Sequence, residues 1–155
     1  MDSLHEIPVA APAKKVFEAW TTAEGLKAWW TTDVSTPAAK KGAGKKEGKD
    51  DKGEYVFRFG GGTVAFHFAV KKEIAGKRVP WRGVKGKGMP REWVGTKIDV
   101  HISKGKGGGT RLQFAHRDWK NAKGAYCECN TTWGELMYRL KGWCEGKGRG
   151  ALFGG

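Results

Sequence analysis

Long apolar runs are missing from this sequence: nothing in it approaches the roughly 18 to 20 consecutive apolar residues that a helix needs to cross a bilayer. The opening MDSLHEIPV lacks the basic-then-apolar layout of a secretory signal, so a cytoplasmic setting is expected. Cysteine is scarce. Cys127, Cys129 and Cys144 are an odd number, and the first two form a C-x-C pair too tight for a relaxed disulfide or a standard zinc knuckle, so free thiols and no metal are expected. Acids are outnumbered, 16 against 29 Lys plus Arg, which leaves a formal charge of +13 at pH 7.

The usual constellations of catalysis are also wanting. No paired-carboxylate, Ser/His/Asp or metal-ligand arrangement stands out. Glu128 and Glu135 lie roughly together on a C-terminal helix, but Trp133 and Leu136 define a different face, so both are expected in solvent. Gly60-Gly61-Gly62 lacks the downstream Lys-Ser/Thr and helix of a phosphate loop, so no nucleotide cofactor is expected, nor any other.

Large side chains are what the sequence does have. Eight Trp, seven Phe and three Tyr in 155 residues compensate for a modest aliphatic count, excluding disorder throughout and fitting one domain over residues 1–155. Leu4 to Val9 alternates as an opening strand. Pro12 then suits the first turn of a helix bearing Val16, Phe17 and Trp20. Thr21 to Glu24 has the spacing of a capping box for a second short helix bearing Leu26, Trp29 and Trp30. Lys40 to Lys52 holds six Lys, three acids and three Gly with no large apolar residue, and reads as a mobile connection.

Beyond it the period becomes two. Tyr55, Phe57 and Phe59 share one face, Val64, Phe66, Phe68 and Val70 another, and the glycines between them mark a hairpin. Further strands are predicted at Arg78–Val84, Trp93–Ser103 and Thr110–Trp119, joined by short Gly/Lys turns and therefore antiparallel. From about Asn121 helical spacing returns, gathering Tyr126, Trp133, Leu136, Met137, Leu140, Trp143 and Cys144, with Gly146 as its C-terminal cap. The expected class is α+β: a sheet with one apolar face buried against a long amphipathic helix.

IPVAAPAKKVFEAWTTAEGLKAWWT, GTKIDVHIS, GGTRLQFAHRDW and NTTWGELMYRLKGWCEGKGRG, spanning Ile7 to Gly148, resemble the START-related (SRPBCC) superfamily. Within it they are most similar to bacterial domains like the C-terminal domain of the heat-shock-protein-90 ATPase activator. The resemblance implies the helix-grip, Bet v 1-like fold, in which a curved antiparallel sheet wraps a C-terminal helix. It further implies a cavity between them for a small hydrophobic or amphipathic molecule. A chaperone-cofactor role would rest on the family name alone.

Trp29 and Trp30 are expected near one mouth of such a cavity, Phe57, Phe59, Phe66, Phe68, Trp81, Ile98 and Phe114 on the sheet face, and Trp133, Met137 and Leu140 on the helix roof. The competing reading of each is a side chain filling a solid core. His116 is expected to point inward near the mouth and, with Tyr126, is the candidate polar anchor; its plainer reading is a core-edge histidine satisfied by backbone or by Tyr126. His67 and His101 fall on the opposite face and should be solvated. The alternative partner is a nucleic acid or other polyanion, held weakly and non-specifically by Lys/Gly loops with exposed aromatics such as Trp93 and Trp119. Oligomeric state is left open.

Overall fold

The computed structural model describes residues 1–37 and 53–154; the expected Lys/Gly connection lies outside the described residues. The elements run β1 (Ser3–Val9), α1 (Ala13–Thr21), α2 (Ala23–Trp29), β2 (Asp33–Ser35), β3 (Glu54–Phe59), β4 (Val64–Val70), β5 (Arg78–Val84), β6 (Lys97–Lys104), β7 (Thr110–Arg117) and α3 (Ala125–Cys144). All strand pairings are antiparallel, in the spatial order β1-β7-β6-β5-β4-β3-β2. The fold is the α+β helix-grip arrangement the sequence implied, with a curved seven-stranded sheet and two short helices early. Among the described residues no helix is long and apolar enough to cross a membrane.

Period-two alternation sets which face of each strand is buried. In β6, Ile98, Val100 and Ile102 are nearly inaccessible while Lys97 and His101 are exposed. Phe57 pairs with Phe66 and Tyr55 with Phe68, so the β3–β4 hairpin carries its rings on one side. On α3, Trp133, Leu136, Met137, Leu140 and Cys144 recur at helical spacing and form the stripe that the sheet grips. The opposite surface carries Tyr138, 64% exposed.

Local chemistry explains where the boundaries differ from expectation. Thr22, not Thr21, caps α2: its Oγ1 accepts the Gly25 backbone N–H at 3.0 Å, while the Thr21 hydroxyl donates back to Phe17 O. Helix α3 begins only after Gly124, whose φ of 56° and ψ of −123° suit glycine and stop the helix from reaching back to Asn121. Gly146, with φ 78°, closes its far end as expected.

Trp93 is not the start of a strand. Arg91–Trp93 forms a 3-10 turn after Pro90, drawn tightly onto β5: Gly83 donates to Thr96 O at 2.8 Å and accepts from Gly95 N at 2.9 Å, and a side chain at Gly83 would collide with the Trp93 carbonyl. Trp93 and Trp119 are therefore 4% and 3% exposed, which corrects the expectation that they are surface aromatics available to stack on bases.

The middle of the molecule is filled by rings. Trp20 packs edge-on to Trp29 at 4.9 Å and to Trp81 at 5.8 Å, and stacks on Phe114 at 5.8 Å. Trp30 closes over Phe57 at 3.9 Å and meets Trp133 at 5.0 Å. Replacing one such buried indole by alanine costs about 3 to 5 kcal/mol.

Candidate functional site: an aromatic groove beside the C-terminal helix

The inward-facing rings of β3 and β4 outrun the helices that cover them. Phe57 and Phe68 lie under Trp30 and are sealed, whereas Phe59 and Phe66, one pair further along the hairpin, are only half-buried. They open a groove of about 400 Å³ lined by Trp30, Phe59, Val64, Phe66, Pro90, Trp93, Ala125, Glu128, Cys129, Thr132, Trp133, Leu136 and Phe153. Three structures frame it: the β3–β4 hairpin end, the turn carrying Trp93, and the first half of α3, which presents Ala125, Glu128, Cys129, Thr132, Trp133 and Leu136 along one face.

The chain's last described residues add a fourth wall. Leu152 N donates to Trp29 O, Phe153 N to Trp30 O at 2.9 Å, and Thr32 N to Phe153 O at 3.2 Å, setting the Phe153 ring edge-on to Phe59 at 5.3 Å. Phe66 in turn meets Trp93 edge-on at 4.7 Å. Neither Phe153 nor the Trp93 turn carries a periodic pattern, so the sequence gives no signal that either belongs to the site.

Of the residues expected around a cavity, Trp30, Phe59, Phe66 and Trp133 come together here. Trp29, Phe57, Phe68, Trp81, Ile98, Phe114, Met137 and Leu140 are packed in the interior and do not line the groove. Tyr126 lies beside it, half-buried, with its ring against Trp119 at 5.6 Å and its hydroxyl donating to Asp2 O at 3.2 Å.

His116 is inaccessible and fully engaged. Trp133 Nε1–H donates to its Nδ1 at 3.1 Å. An indole nitrogen only donates, so Nδ1 is the unprotonated nitrogen and Nε2–H donates to Thr96 Oγ1 at 2.7 Å; that hydroxyl passes its own proton to Trp93 O at 2.6 Å. Burial pushes the His116 pKa down to about 3. Its partners are Trp133 and Thr96 rather than backbone or Tyr126, and a ring with no free nitrogen and so little basicity cannot serve as a ligand anchor or a general base. It ties the Trp93 turn to α3 instead.

The polar groups that do border the groove went unnoticed in the sequence. Trp93 Nε1 is buried with no hydrogen bond among the described residues. It faces the Cys129 sulfur, whose thiolate form it favours, without the geometry of an ordinary hydrogen bond, and it is closed off from solvent. Burial dominates that thiol and raises it to about 11, so Cys129 contributes a soft apolar surface. No disulfide forms, Cys127 being exposed and Cys144 buried.

Two other features lie apart. A larger hollow, about 960 Å³, is a cleft between the β1–α1 connection and the β6–β7 turn, lined by Lys104 to Arg111 and Lys141 with no aromatic ring. At the opposite end of β3, half-buried Glu73 accepts from both Tyr55 OH and Trp81 Nε1 at 3.1 Å. Burial raises the Glu73 carboxyl above its ordinary value despite these two donors. Among the described residues no cluster of three metal-binding side chains occurs.

Comparison with known proteins gives a consistent result. The family described as "Activator of Hsp90 ATPase homolog 1-like protein" matches residues 10–145. The Aha1 dimer from Colwellia psychrerythraea is 30% identical, with a TM-score of 0.75 over 95% of this chain and 98% of that one. Two others share the fold at lower identity. A Staphylococcus saprophyticus protein is 15% identical, TM-score 0.71, over 99% of this chain and 100% of its own. The AHSA1-like protein from Aeromonas hydrophila is 15% identical, TM-score 0.65, over 94% and 93%. No curated protein matches the sequence.

Proposed function

We propose, taking as premise that the chain belongs to the activator of Hsp90 ATPase homolog 1-like family, that it binds a small hydrophobic or amphipathic molecule in the groove between the β3–β4 hairpin and α3. One observation carries the reading: six aromatic rings, Trp30, Phe59, Phe66, Trp93, Trp133 and Phe153, converge on one solvent-reachable hollow. Predominantly apolar and aromatic walls with a few polar groups are the recurrent composition of small-molecule sites.

Binding would be driven by apolar burial. A bicyclic aromatic body buries about 200 Å², which at about 25 cal/mol per Å² is worth about 5 kcal/mol before ordering costs. The reading is one of binding without turnover, since the histidine bordering this region has both nitrogens committed.

N-phenyl-1-naphthylamine, whose fluorescence rises in apolar surroundings, tests this. Wild-type protein should bind it, and Phe66→Asp and Thr132→Trp should each weaken binding at least about tenfold, equivalent to about 1.4 kcal/mol. His101→Ala, on the outer sheet face, should leave it unchanged. Equal uptake by all four proteins would overturn the reading. Met137→Arg is not a useful probe, because Met137 is 2% exposed beneath the groove and its replacement would attack the core.

A further inference from the structure

The charge lining the groove is opposite in sign to that of the protein. In a chain of net charge +13, the one charged side chain in the groove lining is a carboxylate, Glu128. Glu128 is exposed, lies in the first turn of α3 and makes no ion pair among the described residues. Glu92, exposed on the turn that carries Trp93, does not line the hollow. Arg91, on the same turn as Glu92, and Lys87 and Lys123, on the flanking connections, likewise do not line the hollow.

We propose that the groove selects a cationic amphiphile, an apolar or aromatic body lying on the rings with a protonated amine or quaternary ammonium group at the mouth beside Glu128. This rests on the groove reading above and adds the ligand's charge to it. Two independent features favour it. The carboxylate supplies the counter-charge, and the wall is made of aromatic rings, whose π faces attract ammonium groups. A fatty-acid carboxylate would instead meet Glu128 with no lining cation to offset the repulsion. Among the described residues no cation lines the hollow, and charges outside it act through solvent that screens them over about 8 Å at physiological salt, whereas Glu128 borders the hollow directly.

The test displaces N-phenyl-1-naphthylamine from the full chain with decyltrimethylammonium, decanol and decanoate, each below its micelle-forming concentration, in about 0.15 M salt. The chain lengths match, so the head group alone varies. Decyltrimethylammonium should act at about three- to tenfold lower concentration than decanol, the range expected of one partly exposed charge pair with ring contacts. Decanoate should be the weakest. Glu128→Gln should bring the cation and the alcohol within about twofold of each other, each displacement being referred to the probe affinity measured for that variant, and Glu128→Lys should reverse the order of cation and anion. Equal displacement by all three, decanoate as the strongest, or an unchanged order in Glu128→Gln would overturn the cation inference and leave the groove standing. Failure of the fluorescent probe to bind would overturn both.

Discussion

His116 should contribute to destabilising this protein on acidification by an amount that follows from its surroundings. Its folded pKa of about 3 lies well below the ordinary 6.5, because the ring is buried and protonation would turn Nδ1 into a donor facing the Trp133 N–H. The unfolded chain therefore takes up a proton more readily, and stability that is complete above pH 6.5 is lost as pH falls from 6.5 toward 3. Integrating between pH 7.5 and 5.0 with those two values gives a loss of about 2 kcal/mol from this residue. The assay is urea denaturation at both pH values for wild type and His116→Gln. Glutamine can still accept from Trp133 but does not titrate, so other groups, including Glu73, cancel in the comparison. The stability gap between the two proteins should shift by about 2 kcal/mol, with wild type losing more on acidification. Parallel losses would show that His116 is not held neutral and would refute the reasoning.

Other consequences follow from the same contacts. Trp133→Phe keeps the ring but leaves His116 Nδ1 buried without its donor, and should cost about 1 to 3 kcal/mol in urea titrations at pH 7.5. Glu73→Gln retains an acceptor for Tyr55 and Trp81 while removing a half-buried charge. The raised folded pKa of Glu73 means wild type loses stability as pH rises above 4.5, so the variant should melt higher at pH 7 and lose that advantage near pH 4. A thiol reagent at pH 8 should label exposed Cys127 quickly, and Cys129 and Cys144 slowly, because burial raises the latter two to about 11 and about 12. Mass-resolved labelling would show rapid modification of all three if that burial were wrong.

What the sequence revealed and what it concealed divide along a physical line. Elements built on a repeating pattern were legible: β5 was expected at Arg78–Val84 and is found there, and the Tyr55 to Val70 hairpin carries its rings on the expected face. Features that depend on contact between distant, patternless segments were hidden. Thr96 and Trp133, the partners of His116, lie 20 and 17 residues away. Trp93 read as a strand start because nothing local reveals that Gly83 lets its carbonyl approach β5. Alternation correctly turned Phe57, Phe68 and Trp81 inward, but an inward side chain may line a hollow or fill it. Trp20, Trp30 and Trp133 settle that choice by packing against them or their neighbours. The opening survives only at the hairpin end, where Phe153 arrives from the far end of the chain.

The most direct measurement of the central claim is a two-dimensional ¹H–¹⁵N spectrum of the indole N–H groups during titration with N-phenyl-1-naphthylamine. The Trp93 and Trp133 resonances should shift together in a saturable manner, while that of Trp81, held by Glu73 at the other end of the sheet, should stay in place. Shifts at Trp81 without Trp93, or no saturable change at any indole, would contradict binding in the aromatic groove.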